Sequence, residues 1–301
     1  MNFYICGPTA SGKSSLAIAL ANKINGHIIN ADAYQVYQGL PILTSCPSLA
    51  EYAQAPHHLY EFLSISEEFN AAKYRQLALA KVKGLQSSDK PIIFVGGSGL
   101  YLKFLTHGPS PIPAGDQQLR AELETRSIEE LQAQLEKIDP QSYNNSNFNR
   151  HNKRYLIRAL EICLMTGQPM SQVKNTWQQK EESINKKLNG IYLNWETPVL
   201  NNKINQRSQF MLEQGAIEEV RQSRAQASQT CRKAIGYELI EQLLDGNITQ
   251  EECQETLNIR TRQYAKRQRT WFRKEKWLKP INMQNTNLDE QVKLAIQAFQ
   301  I

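Results

Sequence analysis

Apolar and polar positions follow two different periods along the first hundred residues. Phe3-Tyr4-Ile5-Cys6 is a short, continuous apolar run that stops at Gly7, the pattern of a buried strand. From Lys13 to Asn25 the apolar residues return every three or four positions, which predicts a helix. His27-Ile28-Ile29-Asn30 predicts a second strand, ending at Asp32. Phe69 to Leu85 carries Ala71, Leu77, Ala78 and Val82 at helical spacing, and Pro91-Ile92-Ile93-Phe94-Val95 predicts another buried strand closed by Gly96-Gly97. A further helix is expected to begin over Gly99 to Leu105. Strands alternating with helices imply a parallel sheet with crossover helices.

The texture changes at Gly108-Pro109-Ser110-Pro111-Ile112-Pro113, where three prolines in five residues predict a hinge. Residues 116–187 are helical in pattern and rich in Gln, Glu, Arg and Asn. Gly190-Ile191-Tyr192-Leu193-Asn194-Trp195 returns to a strand pattern, and long helices are expected over Val199–Ser223 and Thr249–Lys276. The expected fold is α/β: a P-loop NTPase-like parallel sheet core made by 1–115 and 189–301, with a helical insertion domain at 116–188.

Composition alters this picture little. With 41% hydrophobic and 21% charged residues the chain can fill a core, and disorder is excluded. No apolar run approaches the ~20 residues that span a bilayer, and the N-terminus lacks the form of a signal peptide. A cytoplasmic protein with no membrane partner is expected. The five cysteines are scattered, with no CxxC pair and no neighbouring His, so free thiols are favoured over a disulfide or zinc framework. A net charge of +6 permits an anionic partner without requiring one.

The first candidate chemistry is Gly7-Pro8-Thr9-Ala10-Ser11-Gly12-Lys13-Ser14, which matches G-x-x-x-x-G-K-[ST] between a predicted strand and a helix. Its glycines let backbone N–H groups converge on phosphate oxygens at a helix N-terminus. Lys13 would reach the terminal phosphate and the Ser14 hydroxyl would sit on Mg²⁺. The loop implies binding of a nucleotide such as ATP, or of another diphosphate or triphosphate. Asp32 lies at the carboxyl end of the second strand, where open α/β sheets place their ligands. From position alone it is either a base beside bound phosphate or a cap of the next turn.

A second signal lies near the C-terminus. Residues 260–279 hold nine Lys/Arg against a single acid, Glu275, with Tyr264, Trp271, Phe272 and Trp277 interleaved. Basic residues suit phosphates and aromatic rings suit base stacking. The alternative is a solvated helix whose rings pack on the core, and for Trp271 and Phe272 the two readings stand level. His57-His58, before a strand-like run, suggests a structural role.

With Asp32-Ala33-Tyr34-Gln35-Val36-Tyr37-Gln38-Gly39 after the loop, the sequence resembles the tRNA dimethylallyltransferases, also called tRNA isopentenyltransferases. The resemblance continues through Pro56-His57-His58-Leu59, Gly96-Gly97-Ser98-Gly99-Leu100-Tyr101, Arg158-Ala159-Leu160-Glu161 and Arg207-xxx-Met211-xxx-Gly215. It runs on through Ala234-Ile235-Gly236-Tyr237, Thr261-Arg262-Gln263-Tyr264-Ala265-Lys266-Arg267-Gln268 and Thr270-Trp271-Phe272-Arg273. These blocks cover nearly the whole chain in the family's order.

The resemblance implies transfer of a dimethylallyl group from dimethylallyl diphosphate to N6 of the adenine at position 37, beside the anticodon of tRNA. It implies Asp32 as general base, Ser98 where the family has a Thr hydroxyl at the reacting centre, and Lys13, Ser14 and Arg207 on the diphosphate with Mg²⁺. It places Asp32, Ala33, Tyr34, Gln35, Ser98, Arg120, Arg154, Arg158, Lys233, Gly236, Tyr237, Lys266, Arg267, Arg269 and Arg273 at tRNA-contacting positions, with the anticodon loop as partner; a monomer is the working expectation, which the sequence does not decide. The chain departs from the family at Ala33 (usually Ser), Ser98 (Thr), Cys46 (Lys), Tyr155 (Arg) and Lys233 (Gln). Three rival readings are a prenyltransferase of free adenine nucleotides, a P-loop kinase using Asp32 towards a hydroxyl, and a non-enzymatic RNA-binding NTP-dependent module. The helical insert and the basic segment disfavour the first, and the last leaves Asp32 without a purpose.

Overall fold

The computed structural model describes residues 1–86, 89–109 and 115–301. The expected hinge at 108–113 falls, from Ser110 onward, outside the described residues. Six strands, β1 (Asn2–Cys6), β2 (His27–Asn30), β3 (His57–His58), β4 (Ile92–Gly96), β5 (Gly190–Asn194) and β6 (Leu278–Asn282), form one sheet in the order β3-β2-β4-β1-β5-β6. Every pairing is parallel, with Ile5 of β1 facing Val95 on one side and Ile191 on the other.

Period-two alternation divides the strand side chains between two apolar layers. Tyr4, Cys6, Ile29, Phe94 and Tyr192 point to one, and Phe3, Ile5, Ile28, Ile93, Val95, Ile191 and Leu193 to the other. Both faces are covered by helices, which is why the central strands read as unbroken apolar runs. The Lys13–Ile24 and Leu288–Phe299 helices close the second layer through Leu16, Leu20, Val292 and Phe299. Tyr74, Tyr101, Leu257 and Phe272 close the first.

Three departures from the pattern reading have physical causes. The histidines do not precede a strand: His57-His58 are themselves β3, a two-residue edge paired to Ile28 and Ile29, and the His58 ring hydrogen-bonds the His27 ring at 3.1 Å. At the opposite edge, β6 has a buried pattern interrupted by exposed Lys279 and Pro280, so it shows neither alternation nor an apolar run. A very short strand at one edge and a lysine and proline at the other both discourage further chains from adding to the sheet. The expected helix over 199–223 is two helices, Thr197–Gln214 and Ala216–Ser223. Gly215 parts them at φ 121°, a conformation side-chain-bearing residues rarely adopt.

The chain forms two compact units, 1–106 with 188–301, and 107–187. The second is helical, with its own core of Leu123, Leu131, Leu135, Leu156, Leu160 and Ile162. Its Ile128–Ile138 helix begins in a capping box: Ser127 Oγ accepts from the Glu130 N–H while the Glu130 carboxylate accepts from the Ser127 N–H. Among the described residues no helix is long and apolar enough to cross a membrane.

Candidate active site

The loop Gly7–Ser14 leaves the carboxyl end of β1 and enters the Lys13–Ile24 helix through two left-handed residues, Ala10 (φ 60°) and Gly12 (φ 87°). The turn aims the helix N-terminus, with its unpaired N–H groups, into a cavity of about 350 Å³. Lys13 curls back so that Nζ donates to the Pro8 carbonyl at 2.7 Å. Arg207, on the Thr197–Gln214 helix, reaches the same cavity and donates to Thr9 Oγ1 at 2.8 Å. Burial pushes the Lys13 amine down to about 8; Asp32 opposes this and Arg207 reinforces it. Burial likewise lowers Arg207, and Asp32 again opposes. Two cations and one carboxylate therefore share a small, partly dry space, a charge balance ready for an added anion.

Asp32 follows β2 and is held from both sides. Its N–H donates to Asn30 Oδ1 at 2.8 Å, and its Oδ1 accepts from the Tyr34 N–H at 3.1 Å. This is the turn-capping geometry that the sequence allowed, yet the carboxylate still lines the cavity beside Lys13 and Arg207. The two readings of Asp32 are compatible. Gln35 Nε2 donates to the carbonyls of Thr44 at 3.2 Å and Ser45 at 2.6 Å, fixing another wall of the same cavity.

The glycines of Gly96–Gly99 are explained by close approach. A Cβ on Gly97 would stand 2.3 Å from Gln268 Nε2, and one on Gly99 would strike the Trp271 ring at 2.4 Å. The turn after β4 is thus pressed against the Gln250–Phe272 helix, and the two most distinctive sequence blocks are packing partners. Between them, Ser98 is buried and its Oγ accepts from the Ala33 N–H at 2.9 Å. A second cavity of about 430 Å³ opens on this side, lined by Tyr34, Ser98, Tyr101, Lys233, Arg267 and Trp271 among others. Tyr264 and Gln268 border both cavities. Burial, helped by Asp32, pushes the Tyr34 hydroxyl up to about 12, so it stays a neutral donor.

The basic helix divides its residues cleanly. Leu257, Thr261, Ala265, Gln268 and Phe272 are buried, while Lys266, Arg267 and Arg273 are exposed. Phe272 belongs to the core, whereas Trp271 is 40% exposed and lines the second cavity. A third depression, of about 470 Å³, gathers Arg262, Lys266, Arg269 and Arg273, with Arg269 donating to Thr197 Oγ1 at 2.6 Å.

Three sequence-based site assignments need qualification. Tyr237 is fully buried and its hydroxyl is 2.7 Å from Ser223 Oγ, so its side chain is a core member unavailable to RNA; Gly236 precedes it at φ 97° as the helix cap. In the helical unit Arg120 and Arg158 both pair with Glu161, at 3.1 and 2.6 Å, and Glu161 is completely buried. Arg120 thereby ties the Gln117–Glu124 helix to the Lys153–Thr166 helix, and Arg158 pairs with Glu161 within the latter, while Arg154 is exposed. By resemblance Gln268 falls in the stretch Lys266–Arg273 at tRNA-contacting positions, whereas in the structure it is buried against Gly97. The sequence signal for this is a lone amide on the mostly apolar buried stripe 257–261–265–268–272.

A parallel sheet with a phosphate loop after its central strand, and with a carboxylate across the cavity from that loop, defines an α/β enzyme of the P-loop class. A family model described as IPP transferase matches residues 35–275. A tRNA dimethylallyltransferase of Akkermansia muciniphila is 39% identical over 281 residues, 93% of each chain. The full-length tRNA isopentenylpyrophosphate transferase of Bacillus halodurans superposes with a TM-score of 0.71 at 31% identity, covering 99% of this chain and 96% of that one. A eukaryotic dimethylallyltransferase acting on tRNA gives 0.70 at 27% identity, over 98% of this chain and 78% of its own. The chain belongs to the IPP transferase family, the tRNA dimethylallyltransferases.

Proposed function

We propose that the chain transfers the dimethylallyl group of dimethylallyl diphosphate to N6 of the adenine next to the anticodon in tRNA, releasing diphosphate. The observation that carries this reading is the opposition of Asp32 to Lys13 and Arg207 across one cavity. The exocyclic amine of adenine is a weak nucleophile because its lone pair is delocalised into the ring. Asp32 takes the amine proton as the N–C bond forms, a contribution of typically 10²–10⁴-fold. As the allylic C–O bond breaks, negative charge grows on the diphosphate, and Lys13, Arg207 and the loop N–H groups are directed at it. The loop grips the leaving group instead of a phosphoryl group in transfer.

Among the described residues no cluster of three His, Cys, Asp or Glu side chains is present to hold a metal. Mg²⁺ takes one or two protein oxygens and completes its shell with phosphate and water. Ser14 is the hydroxyl that would hold it, and the ion would neutralise charge on the departing diphosphate. The second cavity, with Ser98, Trp271 and Arg267, takes the unstacked part of the tRNA loop. The decisive experiment incubates the protein with unmodified tRNA, labelled dimethylallyl diphosphate and Mg²⁺, followed by nucleoside analysis. ATP turnover without prenylated adenosine would instead identify a kinase.

The exposed basic face provides a separate test. If Lys266, Arg267 and Arg273 meet the RNA backbone, their triple replacement by Ala should weaken tRNA binding and flatten its salt dependence. Every phosphate left without its cation should take about 0.7 to 0.9 off the slope. Donor affinity and melting temperature should stay where they are. A normal salt slope would refute RNA binding by this face.

A further inference from the structure

Gln268 sits in the middle of the basic helix, yet it is only 5% exposed. Its Oε1 accepts from the Thr9 backbone N–H at 2.8 Å, and its Nε2 donates to the Gly97 carbonyl at 2.8 Å. The two partners fix the amide's orientation, because one can only donate and the other can only accept. Thr9 in turn receives Arg207 through its side chain. One amide therefore joins the phosphate loop, the turn carrying Ser98, and, through Thr9, the arginine of the diphosphate cavity. It reaches both from the helix whose exposed face bears Lys266 and Arg267. The position is built around it: the Gly97 backbone lies so close to Gln268 Nε2 that a methyl group there would collide.

Neither bond is needed to complete a helix or a sheet. What the amide does here is join two turns.

We infer that Gln268 is a positioning residue of the transfer reaction, setting Thr9 and thereby Arg207 against the diphosphate and locking the loop to the Ser98 turn. The inference rests on the reading of the cavity as a prenyl diphosphate site. A small misplacement of a charge-stabilising group is enough to cost up to about 10²-fold in rate, whereas binding of either substrate draws on many other groups. Gln268 should therefore act on the chemical step and leave the two affinities nearly alone.

The test is single-turnover prenyl transfer at saturating tRNA and dimethylallyl diphosphate by wild type, Gln268→Met, Thr9→Val and the double variant. Tyr264 and Trp271 remain intact in all four. Gln268→Met should lower the rate roughly 10- to 100-fold, with tRNA affinity close to wild type and a somewhat lower melting temperature, since the Gly97 carbonyl loses its buried partner. Because both single changes loosen the same Thr9–Arg207 arrangement, the double variant should be no slower than the slower single one, whereas independent effects would multiply. Multiplying effects, or a full rate in Gln268→Met, would overturn the inference. Should Gln268→Met fail to fold, Gln268→Glu serves the same purpose. It keeps the acceptor for Thr9 but sets an oxygen against the Gly97 carbonyl, and is expected to be slow; an unchanged rate would overturn the inference. Absence of transfer by wild type would refute the proposed function itself, while equal transfer by wild type and variant refutes only the role of Gln268.

Discussion

Lys13→Ala should abolish measurable prenyl transfer, with a loss of roughly 10²–10³-fold or more, as expected when a preorganised charge is removed from a developing oxyanion. The same residue makes donor binding depend on pH in a definite direction. Burial holds its amine at about 8 in the free protein, against 10.5 for an ordinary lysine. As pH rises through 8 the ammonium is lost, so affinity for dimethylallyl diphosphate should fall. Stability should move oppositely: between pH 8 and 10.5 the unfolded chain holds the proton that the folded one has released, so this group makes the donor-free protein more stable as pH rises. In Lys13→Arg, where the charge persists, the affinity profile should be flat over this range. Titration calorimetry across about pH 7 to 10 measures the first effect and thermal melts the second. An Ala variant with the wild-type rate would remove the loop from the mechanism.

Asp32→Asn is expected to lower kcat by roughly 10²-fold or more while leaving the fold and tRNA binding intact. Asn preserves the acceptor used by the Tyr34 N–H, so the turn should survive. The charge does not survive, and this gives a second signature. Asp32 is the anion beside Lys13 and Arg207, and it repels an incoming diphosphate. Its removal should keep or tighten donor affinity even as turnover collapses. Steady-state kinetics in both substrates, together with donor titration, separate the outcomes. Weakened tRNA binding with normal turnover at saturation would make Asp32 a binding residue and leave the base unassigned.

The parts of the fold that were plain in the sequence are those where one physical requirement dominates. β1, β2, β4 and β5 are buried on both faces and are mostly apolar along their centres, and the loop after β1 has a spacing dictated by phosphate geometry. β3 and β6 were hidden because edge strands are made short or polar to keep other chains away. Gly215 was read through because a glycine within a helical pattern is usually tolerated, and only its φ of 121° shows that it parts two helices. At the candidate site, the loop, Asp32, Ser98 and Arg207 were visible as motif residues, and the structure brings the loop, Asp32 and Arg207 to one cavity. Gln268 reads from the sequence as part of an outward-facing, tRNA-contacting stretch because its neighbours are strongly charged. Its inward turn depends on a glycine 171 residues away. Tyr237 shows the converse: a motif position does not reveal whether the side chain or only the backbone is accessible, and here the side chain is buried.

The central place of β1 has a consequence for how the protein is made. β1 pairs with β4 on one side and with β5 on the other, but β5 lies beyond the whole helical unit. At ribosomal speeds of about 5–20 residues per second, the roughly ninety residues separating β4 from β5 take about 5 to 20 seconds to synthesise. Throughout that interval the nascent chain has every residue of its phosphate loop, yet the strand feeding that loop shows a bare apolar edge at Tyr4, Ile5 and Cys6. The sheet cannot close until Gly190–Asn194 emerges, which makes this the stretch of synthesis in which the young chain most needs protection from its neighbours.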